Sequence, residues 1–351
     1  MKTNNYLKIR AYKITLILIG CLGIFSCSGV GEQGIILYIS EKDGNPEIYS
    51  TDTRGQSHSR LTSTSKREDI PKLSPDGSHI AFISDRKGSF QLWVMSIEGG
   101  EEKLISKKGE IVATVVESFF WSPDSQKIAY KWHNSGQHDI SLYDMQSGNI
   151  TSVTNDQAVE VLGDWSPSGE WIVYSVIANP DVNRVGIFKK NPQGVDEVQL
   201  TTEFEDHNAR WSPDGRKIAF LSKRSQENTD IYVIDADAKS ESENEEKNIT
   251  ISSGGNNWDF SWSPDGKRVV FVSDSEQNPE IFVVDIDDPS QTIRLTNNNS
   301  QESAPIWREN KIIFLSDSDG DSDLYSMKPS DGSNQKRLTE TVQAEYSPSL
   351  N

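Results

Sequence analysis

The chain is poor in cysteine, histidine, helical periodicity and positive charge. Its two cysteines, Cys21 and Cys27, both lie near the start, so no disulfide framework can hold the remainder together and packing has to stabilise it. Apolar runs are only about five residues long and are separated by clusters of Asp, Gly, Asn, Pro and Ser, a pattern of short strands with negligible helix. Lys and Arg number 35 against 53 Asp and Glu, a formal charge of −18. Nucleic-acid affinity rests on basic side chains neutralising phosphates, so no nucleic-acid partner is expected, and anionic surfaces should repel the chain. The five histidines are His58, His79, His133, His138 and His207. Only His133 and His138 are close, on either side of an expected hairpin. Neither HExxH nor HxxEH occurs, and a serine nucleophile elbow is missing.

What is present begins with an export pattern. Lys2, Lys8, Arg10 and Lys13 precede an uncharged run from Ile14 to Ser26, too short to span a bilayer. Ile24-Phe25-Ser26-Cys27 resembles the bacterial lipobox, whose cysteine is lipidated and becomes the mature N-terminus. Leu18-Ile19-Gly20-Cys21 has the more familiar residues but leaves a short apolar core, so Cys27 is the preferred site. The expected organisation is a lipoprotein signal peptide over 1–26, a tether over 27–34 and one repeat domain over 35–351. Without residues 1–26 the charge moves from −18 to −22, because four basic and no acidic side chains leave.

One phrase recurs through the domain: LSPDG at 73–77, WSPDS at 121–125, WSPSG at 165–169, and WSPDG at 211–215 and 262–266. Trp307-Arg308-Glu309-Asn310 and Tyr346-Ser347-Pro348-Ser349 extend the series, at intervals of 48, 44, 46, 51, 45 and 39 residues. Proline presets φ in a type I turn, Ser and Asp cap nearby amides and Gly accepts positive φ, so the phrase predicts a hairpin between a first and a second strand. It repeats without any recurring acid–base partner, which excludes a catalytic-serine role. After each turn come a β-rich run such as KIAFLS (217–222), a break, DIYVID (230–235), another break and a short run ending in Leu-Thr. Four strands per unit make a blade. Second-strand runs begin near 35, 79, 127, 171, 217, 268 and 311, which predicts a seven-bladed all-β propeller of four-stranded antiparallel blades. IILYIS (35–40) reads as a second strand and Glu345-Tyr346 as a first, so the C-terminal strand is expected to complete the first blade.

These units resemble the WD-like repeats of the TolB propeller family over roughly residues 35 to 350. The resemblance implies an envelope protein with a protein partner. It departs from TolB in two respects: TolB carries a separate domain before six blades, whereas here the signal leads almost directly into the first of seven.

Five residues before each anchor stand Glu68, Glu160, Asp206, Asn257 and Glu302, with Glu117 displaced by one. At the start of the innermost strands these side chains are expected to ring the axial mouth. Clustered carboxylates favour a cation, a basic peptide or a hydroxyl-rich ligand. Each is alternatively explained as a local cap on loop amides. Asp317 to Asp323 alternates carboxylates as calcium loops do, but its Gly is fourth rather than sixth, so a plain hairpin is expected and no cofactor is assigned. Ser240 to Glu246 reads as a solvated acidic loop.

The resulting expectation is a non-catalytic binding or scaffold lipoprotein. It would be a monomer, anchored in the bacterial cell envelope at the outer membrane, with an envelope protein or carbohydrate as partner. The alternative is a propeller polysaccharide lyase or hydrolase acting on acidic sugars, since some proteins with similar repeats degrade these with metal-bound histidines.

Overall fold

The computed structural model describes residues 34–350 apart from 108, 113–117, 179–183, 204, 225–227, 241–244, 252–253 and 341–344. The signal and tether segments, including Cys21 and Cys27, therefore lie outside the described residues.

Every regular element longer than one turn among the described residues is a strand. The repeat phrase folds as its chemistry requires. Ser74, Ser122, Ser212 and Ser263 each donate from Oγ to the Asp two residues on, at 2.5–2.6 Å. The same hydroxyls accept the amide five residues on at 2.8–2.9 Å. Gly77, Gly169, Gly215 and Gly266 take φ of 72°, 74°, 74° and 68°, and Ser125 in the one copy without Gly is held at 60°. The fourth-strand hydroxyl has a fixed task as well. Thr62, Ser106, Thr154, Thr201, Thr250, Thr296 and Thr339 each accept a third-strand amide at 2.8–3.2 Å. That contact explains the recurrent Leu-Thr.

Second strands such as Lys217–Ser222 are buried along both faces, because each sheet is packed by a sheet on either side. Core clusters accordingly draw on two successive repeats: Ala219, Leu221, Ile231 and Val233 meet Phe260, Trp262, Val269 and Phe271. Trp121, Trp165 and Trp262 stand at these contacts. Each indole donates to a backbone carbonyl of the preceding repeat, of Lys72, Phe120 and Arg210, at 3.0–3.3 Å. Stacked aromatics bridge second and third strands at matching positions, Tyr38 on Tyr49, Tyr174 on Phe188, Phe220 on Tyr232 and Phe271 on Phe282, with centroids 5.7–5.8 Å apart.

The expectation of seven separate four-stranded blades is not met. The described strands form five four-stranded sheets and one of eight strands, and no sheet closes on itself as a barrel. The eight-stranded sheet merges two repeats through a parallel bridge, His138 beside Val159. The hairpin at this place is long, as is that of Arg268–Glu276 and Asn278–Asp285, whose sheet nevertheless stays four-stranded. Strands Lys127–Asn134 and Gln137–Asp144 run eight residues each, against six in Lys217–Ser222 and Asp230–Asp235. They meet in a two-residue turn at Ser135 and Gly136, both at positive φ (51° and 90°), the form that matches strand twist. The fourth strand of this repeat, Ile150–Ser152, covers only Ser141 to Tyr143. The uncovered edge at His138 then accepts the start of Val159–Trp165. Elsewhere the first sheet takes its inner strand from the far end of the chain, with Ile39 paired to Tyr346 and Ser40 to Glu345.

Candidate functional site

Glu68, Glu160, Asp206, Asn257 and Glu302 all stand at or beside the start of a first strand, and all are buried. Glu117 lies outside the described residues. Most of these side chains are satisfied inside the fold. Glu68 accepts from Arg86 at 2.7 Å, Thr64 at 3.0 Å and Ser84 at 3.1 Å. Asp206 is paired with Arg224, whose other arm reaches Glu246. Asn257 donates to Asp230 at 3.2 Å and to the Thr229 carbonyl at 3.0 Å. Glu302 accepts from Asn298 at 3.0 Å and Ser316 at 3.1 Å.

A second set of acids, which the repeat phrase does not mark, opens the third strands: Glu47, Asp139, Asp230, Glu280 and Asp323, all buried. They meet the first-strand acids across the junction between repeats. Burial and the charge of Glu47 push Glu68 up to about 7 against the hydrogen bonds from Arg86 and Thr64. Burial, with Glu280 facing it, does the same to Glu302, also about 7. Three third-strand acids are clamped by an arginine that also holds an acid four residues earlier. Arg60 bonds Asp43 and Glu47 at 2.9 Å each. Arg294 bonds Glu276 at 3.3 Å and Glu280 at 2.9 Å. Arg337 bonds Asp319 and Asp323 at 2.5 Å each. The signal was present as acids spaced by four residues, followed by Arg-Leu-Thr at 60–62, 294–296 and 337–339.

That clamp bears on the calcium-like stretch. Carboxylate oxygens of Asp319, Asp321 and Asp323 lie within 4.8 Å of one another. The guanidinium of Arg337 already bridges the outer two, supplying the positive charge a metal would bring. Among the other histidines, His58 meets the Tyr38 hydroxyl at 3.1 Å, His79 the Ser78 hydroxyl at 2.7 Å and His207 the Glu205 carbonyl at 2.8 Å. His133 and His138 stack on each other.

Glu160 departs from the pattern. It is fully buried and neither carboxyl oxygen has a hydrogen-bond partner in the described structure. The facing side chains explain why. Glu68 and Glu302 are paired in register with Ser84 and Ser316, whose hydroxyls bond them. Glu160 keeps the same register but faces Val176, which stands where the other repeats carry that serine, and the buried Ser175 hydroxyl one residue earlier is without a partner too. Ala178 occupies the place that Arg86 and Arg224 hold in their repeats. Burial first, then the charges of Asp156 and Asp139, raise the Glu160 carboxyl to about 8, with Arg184 opposing. Arg184 is itself engaged by Asp156 at 3.1 Å and Glu197 at 2.7 Å. Burial thus favours the neutral acid at Glu160, whose two oxygens are enclosed within the fold. A separate groove of about 400 Å³ lies among the repeat turns, lined by Pro123, Trp165, Pro167 and Pro192.

Comparison with known proteins corrects the functional expectation. The chain is 30% identical over 175 residues to an uncharacterized peptidase of Bacillus subtilis, YuxL, covering 38% of this chain and 26% of that one. It is 27% identical over 139 residues to a TolB homolog of Chlorobium chlorochromatii, covering 40% and 30%. The matches thus span about a quarter to a third of these relatives. Among solved structures, TolB of Acinetobacter baumannii gives a TM-score of 0.55 at 17% identity, covering 90% of this chain and 66% of that one. Oligogalacturonate lyase of Vibrio parahaemolyticus gives 0.65 at 15%, covering 83% and 85%. An oligogalacturonate lyase in complex with manganese gives 0.66 at 17%, covering 84% and 86%. The likeness to propellers of enzymes is stronger than to TolB, and this overturns the expectation of a non-catalytic scaffold that is no enzyme. At these identities the structures carry the fold alone. The residues do not fit a resident manganese ion, because Arg337 fills the one three-carboxylate cluster among the described residues. The model of the TolB beta propeller domain matches residues 30–119, 112–254 and 243–351, so the chain belongs to that family.

Proposed function

We propose that this domain is catalytic and cleaves acidic saccharide chains, as a lyase or a hydrolase. The observation that carries the reading is coverage: the chain follows 85% and 86% of the length of two oligogalacturonate lyases at TM-scores of 0.65 and 0.66, above its likeness to TolB. Breaking a glycosidic bond by either route needs a proton for the leaving oxygen. Glu160, its carboxyl raised to about 8 by burial, is the candidate donor, and the other first-strand residues Glu68, Asp206, Asn257 and Glu302 shape the surrounding junctions. In hydrolysis a carboxylate also has to act on water or on the sugar, and the exposed Asp156, paired with Arg184 at 3.1 Å, is the candidate. No step is assigned to a metal.

TolB family membership supports a protein partner and a bacterial envelope setting. We extend this to export with a lipid on Cys27 and a monomeric domain over 35–351. A Cys27→Ser chain released from the membrane fraction would support the anchor, and one retained there would count against it.

The reaction is tested with the purified chain on polygalacturonate and neutral polysaccharides. Elimination appears as ultraviolet absorbance of an unsaturated product, hydrolysis as new reducing ends without it. Glu160→Gln should lower turnover by roughly 10²–10⁴-fold, the usual effect of losing a general acid, with the melting temperature preserved. Absence of both signals on every acidic polysaccharide tried would sink the reading.

A further inference from the structure

His133 and His138 occupy directly opposed positions on strands Lys127–Asn134 and Gln137–Asp144. Directly opposed residues project from the same face of a sheet. Their rings lie 5.6 Å apart between centroids and 19° from parallel, and both are partly accessible to solvent. The Nδ1 atom of His138 is buried and has no hydrogen-bond partner in the described structure, so the accessible edge of that ring carries Nε2. The backbone beneath the pair is held on both sides. Ile111 and His133 exchange two amide hydrogen bonds of 3.0 Å, and His138 bridges Val159 where the two repeats merge. At this one place the sheet runs four segments wide beneath two adjacent imidazoles, with a two-residue turn fixing the hairpin.

Two imidazoles side by side offer two nitrogen donors, and a rigid base means that little freedom is lost when both bind one ion. We propose that His133 and His138 form a chelate for a divalent transition-metal ion of the copper, nickel or zinc type, with water completing the coordination. Nitrogen ligands favour these ions, copper most strongly. Calcium and magnesium require oxygen donors, and the nearest charged side chain on the same strand face is the cation Lys131. The site therefore discriminates against them. It shares no residue with Glu160 or the Asp319 cluster, although His138 bridges Val159 beside Glu160, and its test reads metal binding alone, independently of the saccharide reading.

The test uses the whole chain, apo and free of affinity tags, titrated with Cu²⁺, Ni²⁺, Zn²⁺ and Ca²⁺ by calorimetry, with thermal melts in parallel. The expected result is saturable one-to-one binding of Cu²⁺, weaker binding of Ni²⁺ and Zn²⁺ and none of Ca²⁺, with a raised melting temperature. Paramagnetic resonance of the copper form should show two equivalent nitrogens. His133→Asn and His138→Asn should each lose at least tenfold in affinity, while His207→Asn changes nothing. A double variant that keeps one-to-one copper binding would overturn the proposal, as would Cu²⁺ affinity weaker than about 1 mM.

Discussion

A single buried carboxyl sets a measurable pH dependence. Because Glu160 is shifted from the ordinary 4.5 up to about 8, the folded chain holds its proton more tightly than the unfolded chain does. Its contribution to stability is full below the ordinary value and declines as pH rises through that window, at up to about 1.4 kcal/mol per pH unit. Glu68 and Glu302, raised to about 7, and Asp259, raised by burial to about 7, act in the same direction. Melting temperature should therefore fall between pH 4.5 and 8. Glu160→Gln cannot ionise, so its melting curve should match wild type at the acid end and exceed it at the alkaline end. A variant that is equally destabilised across the whole range would show that Glu160 is ionised and paired in the fold.

The element scale shows why an acidic mouth was expected and what the fold makes of it. Acids fall at matching positions because each repeat begins its first and third strands alike. The arginines that neutralise them come from fourth strands, or from the turns after second strands, and only folding brings them together. Clamps of this kind differ in strength with burial. Asp323 is fully buried and loses its charged partner in Arg337→Ala, which should cost about 3–5 kcal/mol. The exposed pair of Arg216 and Asp214, 3.8 Å apart, should yield less than about 1 kcal/mol in Arg216→Ala. Chemical denaturation of both variants measures the contrast, and equal losses would refute the ranking by burial. The same distinction marks what was legible beforehand. Turn chemistry, the Trp anchors and the four-strand unit depend on neighbouring residues and could be read directly. The unpartnered Glu160 was legible in the same way, as Val176 and Ala178 in places where other repeats carry Ser84 and Arg86 or Ser222 and Arg224. The merged sheet rests on one backbone bridge between His138 and Val159, which leaves no compositional trace.

Across the whole molecule the sheets depend on one another, since among the described residues no cluster of buried side chains belongs to a single repeat. Strand Glu345–Leu350 shows how far this goes. It pairs with Ile35–Ser40 while Ser347 also donates to Asp69 of the next sheet at 3.3 Å, so residues far apart in sequence fix one junction. Tyr346 adds a hydrogen bond to Glu41 at 3.1 Å and packs against the cluster of Leu37, Ile39, Phe82 and Trp93. Removing residues 345–351 would expose the backbone edge of Ile35–Ser40 together with that apolar cluster. An unprotected edge of this kind templates association with other chains. The truncated chain should consequently unfold at lower denaturant and without a single cooperative transition, and it should elute as larger species than the full chain. A truncated form with an unchanged midpoint would mean that the sheets are stable one by one, and the clusters spanning successive repeats argue against that.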